Sequence, residues 1–278
     1  MGGQKASHRP FEKLSPAGGL ATPVSMLIIF FSLTLVSTVS YYYAVNRVDA
    51  RREDLKMIAA EEKMLDLEEA ISSAAWSPGA ARVTAFSDYG GELRVEPAEN
   101  QLELNVTMGA SSYTLFNDST GRVLYRLDLV GLNRVESWLR GDRRAIVNRS
   151  PAVQAQVRIA RGDEKQELRI GYRPLVSSSL GGLVAGRRVN NIRIYIINMN
   201  GSEALASTGE FYLKALCAGV SSRLHEYNLS SSVSVVDITA ALDGSRDTVE
   251  VPITAGAAGS TVRIEIAVCQ IELSKVSV

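Results

Sequence analysis

The chain has 278 residues, and its 30 Lys and Arg balance its 30 Asp and Glu, so the formal net charge is zero. Zero net charge disfavours a nucleic-acid-binding protein, which needs an excess of basic residues against the phosphates. Two Cys and two His are too few for multi-cysteine metal sites and for most catalytic triads and zinc-protease sites. The composition therefore predicts a protein that is not an enzyme and that holds no metal or other cofactor.

After a polar segment, residues 1–19, the stretch 20–45 contains no charged side chain. At 1.5 Å per residue, residues 23–45 form a helix of about 34 Å, enough to cross a hydrocarbon core of about 30 Å. Thr22 and Pro23 favour a helix start, and the tyrosines at 41–43 suit a membrane–water interface. The stretch predicts a transmembrane helix in the lipid bilayer. A buried helix of a soluble core is disfavoured because the apolar run is so long.

Residues 46–76 continue without Gly or Pro until the helix stop Ser77-Pro78-Gly79. Apolar residues recur at spacings of three and four, which is typical of one helix face: Met57, Ala60, Met64, Leu67, Ile71 and Ala74, widened by Leu55, Ile58 and Leu65. A cluster of acidic residues predicts a solvated face on the other side: Glu61, Glu62, Asp66, Glu68 and Glu69. The absence of a breaker favours one continuous helix over a kink followed by a separate helix.

The stretch Gly18-Gly19-Leu20-Ala21-Thr22-Pro23-Val24, followed by an apolar helix that continues as an amphipathic one, resembles archaeal type IV pilin-like proteins. In that family a membrane prepilin peptidase removes a short polar leader after a Gly or Ala. The resemblance implies processing at Gly18, Gly19 and Leu20, with a mature chain that begins at Leu20. Small hydroxyl residues such as Ser32 and Thr38 favour packing of the helix with copies of itself or with other pilin-like subunits. The early Glu of many pilins is absent, which favours a pseudopilin over a major pilin; an uncleaved signal anchor is the alternative.

Residues 80–278 show the period of two that half-buried antiparallel strands have. The alternating runs begin at Leu102, Val123, Val153, Leu168, Ile192, Val249 and Val262. No strand–helix–strand rhythm occurs, which excludes a doubly wound parallel sheet. The predicted fold class is α+β, with a long N-terminal transmembrane and amphipathic helix followed by an antiparallel β-sandwich-like head.

Glycine-containing pairs between the runs predict turns: Gly90-Gly91, Met108-Gly109, Thr120-Gly121, Asn200-Gly201 and Asp243-Gly244. The Ser- and Gly-rich residues 174–186 are the predicted linker, either a long surface loop or a division of the head into two packed sub-sheets.

Five N-x-S/T glycosylation sequons lie in the head, at Asn105, Asn117, Asn148, Asn200 and Asn228. About two would be expected by chance at average composition. The excess predicts a glycosylated head outside the cell. The topology that follows is a single-pass protein of the cell membrane with a cytoplasmic N-terminus and an extracellular C-terminal domain.

Cys217 and Cys269 both lie in predicted strands. On adjacent strands or facing sheets they would form one disulfide; the alternative is two buried thiols that act as small apolar residues. The tripeptide Arg-Gly-Asp occurs at 140–142 and at 161–163, where turn formation is a better explanation than adhesion.

Three functions are compatible with these features. The first is a non-enzymatic pilin-like or pseudopilin subunit, anchored by its helix and displaying a β-rich head at the cell surface. The second is a monomeric single-pass surface protein whose β-domain binds a ligand, a glycan or an envelope component. The third, an anchored hydrolase, is disfavoured by the histidine count and by the lack of catalytic motifs.

Overall fold

The computed structural model describes residues 21–128, 135–148, 153–161 and 165–276. The predicted processing residues Gly18, Gly19 and Leu20 lie outside them. The chain divides into two compact units, which meet between Arg52 and Glu53, and each unit is described by itself.

One helix, α1, spans Ala21–Ala74 without a break between the predicted membrane segment and the predicted amphipathic segment. In the first unit, every side chain from Pro23 onward is exposed. Among the described residues, α1 is the one helix long and apolar enough to cross a membrane. The chain therefore begins its described part with a long apolar helix, and a strand-rich domain follows.

In the second unit, the predicted stripe on α1 is buried: Met57, Met64, Leu67 and Ile71 are each 0% exposed. The predicted widening of that stripe is wrong for Leu55 and Ile58, which are 65% and 50% exposed. The helix ends before Trp76, whose φ of 67° lies in the left-handed region. The β-domain therefore covers a narrow face of α1 that starts at Met57.

Fourteen strands are present in the described residues after α1: β1 (Ala81–Phe86), β2 (Gly91–Met108), β3 (Ser111–Leu127), β4 (Ser137–Arg140), β5 (Val147–Asn148), β6 (Ala155–Arg161), β7 (Gln166–Tyr172), β8 (Leu175–Val184), β9 (Arg187–Asn198), β10 (Leu205–Thr208), β11 (Phe211–Leu229), β12 (Val235–Leu242), β13 (Ser245–Pro252) and β14 (Ser260–Val276). Burial alternates along most of them. In β12, for example, Val236, Ile238 and Ala240 are buried and the intervening side chains are not.

In the part of the chain that the structure describes, the strands form two sheets. The six-stranded sheet has the order β1-β11-β14-β9-β8-β5, and the eight-stranded sheet has the order β13-β12-β2-β3-β7-β6-β4, with β10 paired to β2. The antiparallel prediction is wrong for two pairs, because β14 runs parallel to β9 and β5 runs parallel to β8. Alternation of side chains shows which face is buried, and it is the same in both pairing directions.

The predicted linker at 174–186 is also wrong. Strand β8 fills most of it and pairs antiparallel with β9. Its side chains from Ser177 to Leu180 are all exposed, so the sequence there lacks the alternation that identifies a strand. Each sheet contains strands from both sides of this segment, so the two sheets do not divide the chain there.

Most of the predicted turns are present. Asp243 and Gly244 both have positive φ, 49° and 74°, as the tight hairpin between β12 and β13 requires. The turn at Thr120-Gly121 is wrong, because both residues lie within β3. A Cβ on Gly121 would lie 2.8 Å from the Met199 carbonyl oxygen, so this glycine permits a close backbone approach rather than a turn.

Two apolar clusters form the core of the second unit, and each contains buried residues from both sheets. The first also contains the stripe of α1, which packs with residues such as Val123 of β3 and Leu213 of β11. The second contains residues such as Leu104 of β2, Ile194 of β9 and Ile264 of β14. Burial of the stripe makes the C-terminal part of α1 a component of the β-domain core.

Candidate functional site

The apolar segment of α1 carries hydroxyl groups that are satisfied within the helix. Thr34 donates to the Phe30 carbonyl and Thr38 donates to the Thr34 carbonyl, each at 2.8 Å. Near the end of this segment, the Arg47 guanidinium donates to the Tyr43 hydroxyl at 2.8 Å and lies 5.9 Å from its ring centroid. An aromatic ring beside a cationic group is the pairing that suits a membrane–water interface.

Within the second unit, a buried ion pair fastens α1 to the β-domain. The Glu68 side chain is 1% exposed, and its carboxylate accepts from Arg140 of β4 and from Ser72. The Tyr172 hydroxyl donates to the Glu68 carbonyl at 3.4 Å, and burial raises the pKa of Tyr172 well above its usual range. Glu68 therefore does not belong to a solvated acidic face, which corrects the prediction for this member of the cluster.

All three residues of the first Arg-Gly-Asp tripeptide, 140–142, have structural roles within the fold. Arg140 binds Glu68, Gly141 has a φ of 77°, and Asp142 binds Arg144 and Arg173. Hydrogen bonds from these two arginines hold the pKa of Asp142 well below its usual range. Turn geometry at Gly141 agrees with the structural interpretation of the tripeptide, whereas the second tripeptide lies partly outside the described residues.

Arg173 is 1% exposed, a burial that the sequence pattern does not predict. Its guanidinium donates to the backbone carbonyls of Asp142, Arg144 and Val153 as well as to the Asp142 carboxylate. These bonds tie Asp142, Arg144 and Val153 to the end of β7. Arg173 lies between the end of β7 and Pro174, outside the alternating apolar residues of the strand, so the sequence pattern does not indicate that it is buried.

None of the five sequon asparagines is buried. Asn105 of β2 accepts from Thr114 at 2.7 Å, and Asn228 of β11 accepts from Thr261 at 2.9 Å. Asn117 is exposed on β3, Asn200 follows β9, and Asn148 lies in β5. Glycosylation at these positions stays a prediction.

Cys217 of β11 and Cys269 of β14 meet in the core, with both side chains 0% exposed. Both are free thiols in the structure, with their sulfur atoms 3.5 Å apart. The Trp76 backbone N–H donates to the Cys269 sulfur at 3.4 Å, and burial raises the pKa of Cys269 to about 12. The Cys217–Cys269 pair therefore lies next to Trp76, in the turn that follows α1.

We expect the chain from native membranes to contain a Cys217–Cys269 disulfide. Closing this loop of about 50 residues stabilises the fold by about 4 kcal/mol in the chain-entropy model. Alkylation in denaturant without reductant should then modify neither cysteine, whereas the Cys217→Ser variant should be modified at Cys269. Two alkylated cysteines in the unreduced wild type, read by intact mass, would contradict the disulfide.

Arginines are concentrated on the face of the eight-stranded sheet that points away from the core. We call this the arginine face, defined by Arg94 of β2, Arg122 and Arg126 of β3, Arg158 of β6 and Arg169 of β7. Each makes an ion pair with a neighbouring carboxylate, at 2.7–3.1 Å. Arg158 and Arg169 are direct register partners, and like charges opposite each other destabilise a sheet unless they are compensated.

A cleft opens on this face where β6 and β7 meet the β12–β13 hairpin. It is lined by Arg122, Trp138, Arg143, Arg158, Arg169 and Asp243, and Gly171 at its floor has no heavy atom within 4 Å of an added Cβ. Trp138 is 37% exposed, and the Arg158 guanidinium lies 5.6 Å from its ring centroid. Arg143 is exposed and makes no ion pair with any described residue.

The described residues contain no group of three or more His, Cys, Asp or Glu side chains placed to hold a metal ion. In comparisons with known proteins, the chain matches no protein-family model, no curated protein and no solved structure.

Proposed function

We propose that this protein is a non-enzymatic pilin-like or pseudopilin subunit of a cell membrane. Its N-terminal helix is the anchor and assembly element, and its two sheets pack as a β-sandwich-like head outside the cell. The observation that carries the proposal is the change of environment along α1. Side chains from Pro23 to Arg52 are exposed although many are apolar, whereas the stripe from Met57 to Ile71 is buried.

Exposed apolar side chains need a non-aqueous cover. The segment displays large residues such as Phe30, Phe31 and Leu35, exposed by 68–69%, and lipid acyl chains cover such residues in a spanning helix. The Tyr43–Arg47 pair at its end fits a headgroup region. The resemblance of residues 18–24 to a prepilin processing site extends the proposal from an anchor to a pilin-like subunit and names a prepilin peptidase as a partner.

The sequons support the topology of the proposal. Five lie after residue 100, and glycosylated sequons are typical of surface segments of secreted proteins, so the proposal has the C-terminal domain outside the cell and the N-terminus inside. Helix contacts then form within the bilayer, where small hydroxyl residues such as Ser32 and Ser37 let two helices approach closely.

Processing of the leader is the decisive test. We expect intact-mass analysis of protein from native membranes to show a chain that begins at or next to Leu20. Replacing Gly18 and Gly19 by Leu should cause the precursor to accumulate, because bulky residues block a peptidase that needs a small one. The matched control replaces Gly2 and Gly3 by Leu, in the same leader, and should be processed normally.

The same membranes distinguish a subunit from a simple anchor. A native chain that still carries Gln4 and Lys5 would contradict processing. Cross-linking that captures only monomer, with the processed wild-type chain, would contradict assembly and favour the monomeric surface protein. Cross-linked copies or cross-linked second subunits would support the proposal.

A further inference from the structure

The cleft on the arginine face combines three features of a ligand site. It has an open floor at Gly171, an exposed aromatic ring at Trp138, and an exposed guanidinium at Arg143 with no ion-pair partner among the described residues. Trp138 of β4 is the register partner of Arg158 of β6, and Arg158 is the register partner of Arg169 of β7. The ring and the two guanidinium groups therefore form a row across the sheet.

We propose that this cleft binds an acidic saccharide, with the sugar carboxylate held by Arg158 and Arg143 and the sugar ring lying against Trp138. Guanidinium groups bind carboxylates bidentately. In the structure, one guanidinium nitrogen of Arg158 contacts the Asp243 carboxylate at 3.1 Å, in a pair whose side chains are 31% and 45% exposed. An incoming carboxylate can therefore take the place of Asp243 without burying an unpaired charge.

The size of the cleft decides what kind of saccharide fits. Its volume is about 70 Å³, several times the minimum that holds one water. That space accepts one carboxylate and the adjoining edge of a sugar ring, so the site suits a residue of an extended polymer better than an enclosed small molecule. Polar side chains at Asn100 and Ser245 line the same cleft and are suited to sugar hydroxyls.

The charge balance argues against a highly charged polyanion. Four of the five arginines of the arginine face, Arg94, Arg122, Arg126 and Arg169, are paired with glutamates. A nucleic acid or an anionic lipid surface would need several free cationic groups to replace its counterions. The cleft offers the Arg143 guanidinium, which makes no ion pair with a described residue, and the Arg158 guanidinium, from which a ligand can displace Asp243. These two groups match one carboxylate per sugar residue.

The test uses the full-length protein in detergent and a galacturonic acid tetramer as the probe, with the methyl-esterified tetramer as the neutral control. We expect binding of the acid to change Trp fluorescence and the methyl ester to bind at least about tenfold more weakly, since one charged hydrogen-bonded pair contributes about 1.5–3 kcal/mol. Arg158→Gln and Gly171→Val should each weaken binding of the acid by at least about tenfold. An added Cβ at Gly171 meets no heavy atom within 4 Å, so we expect Gly171→Val to extend into the cleft rather than into the core.

The matched control variant is Arg193→Gln. Arg193 is also a strand arginine in an exposed ion pair, with Glu265 at 2.6 Å, but it lies in the six-stranded sheet. It should bind the tetramer as the wild type does. Equal affinity for acid and ester, equal loss of binding in Arg193→Gln, unchanged binding in Gly171→Val, or tighter binding to single-stranded DNA or anionic vesicles than to the tetramer would each overturn the proposal.

Discussion

Replacing Leu67 and Ile71 together by Glu is expected to unfold the β-domain. Both side chains are 0% exposed in the cluster that joins α1 to the two sheets. Each substitution removes apolar packing and places a carboxylate in an apolar cluster, at a cost of several kcal/mol per site. The sum exceeds about 5 kcal/mol, which is comparable to the total stability of many domains.

A control on the same helix separates burial from helix propensity. Leu55 and Ile58 also lie in the second unit and are 65% and 50% exposed, so replacing both by Glu should change the free energy of unfolding by less than about 1 kcal/mol. Denaturant unfolding of the detergent-solubilised chain, followed by circular dichroism of the strands, measures both. A β-domain that keeps its stability in the Leu67→Glu/Ile71→Glu variant would show that the stripe is not part of its core.

Burial on one helix face made the stripe predictable. A helix that packs on a core must repeat its apolar residues every 3.6 positions, and Met64, Leu67 and Ile71 do so. Glu68 follows Leu67 directly and borders the stripe, but its partner Arg140 is 72 residues away. Only the docking of β4 near α1 shows that this carboxylate is buried.

Strand pairing depends on information that alternation does not contain. The buried residues Ile192 and Ile264 both follow a period of two, yet β9 and β14 run parallel, and about 60 residues of chain separate them. The same limit applies to the arginine face. Arg158 and Arg169 occupy polar positions of β6 and β7, and only the register places them opposite each other.

Strand β8, which β5 covers only at Leu175 and Val176, illustrates a different limit. Leu180, Leu183 and Val184 are 57–61% exposed, so from Ser177 onward neither face of this strand carries the burial that creates alternation. Serines and glycines in the same segment are typical of loops. Its strand conformation comes from pairing with β9, which the local sequence does not reveal.

Breaking the Glu68–Arg140 pair is the second change with a large expected effect. Arg140→Ala leaves the Glu68 carboxylate, 1% exposed, with only the Ser72 hydroxyl as a side-chain partner among the described residues. Removing one partner of a buried ion pair costs about 3–5 kcal/mol. Glu68→Ala should cost less, because the Arg140 side chain is 37% exposed and its guanidinium can regain contact with water.

The pair Lys63–Asp66 on the same helix is the matched control, because its side chains are 32% and 45% exposed at a distance of 2.7 Å. Asp66→Ala should cost at most about 0.5 kcal/mol, as exposed pairs do.

Chemical unfolding of the single variants and of the double variant Glu68→Ala/Arg140→Ala measures the coupling between Glu68 and Arg140. The double variant should be more stable than Arg140→Ala alone, because it leaves no unpaired buried charge. Equal destabilisation by Arg140→Ala and Asp66→Ala would show that the buried pair contributes no more than a surface pair does. A much larger loss of stability in Arg140→Ala than in Asp66→Ala would instead identify Glu68 as the buried charge that fixes the position of α1 on the β-domain.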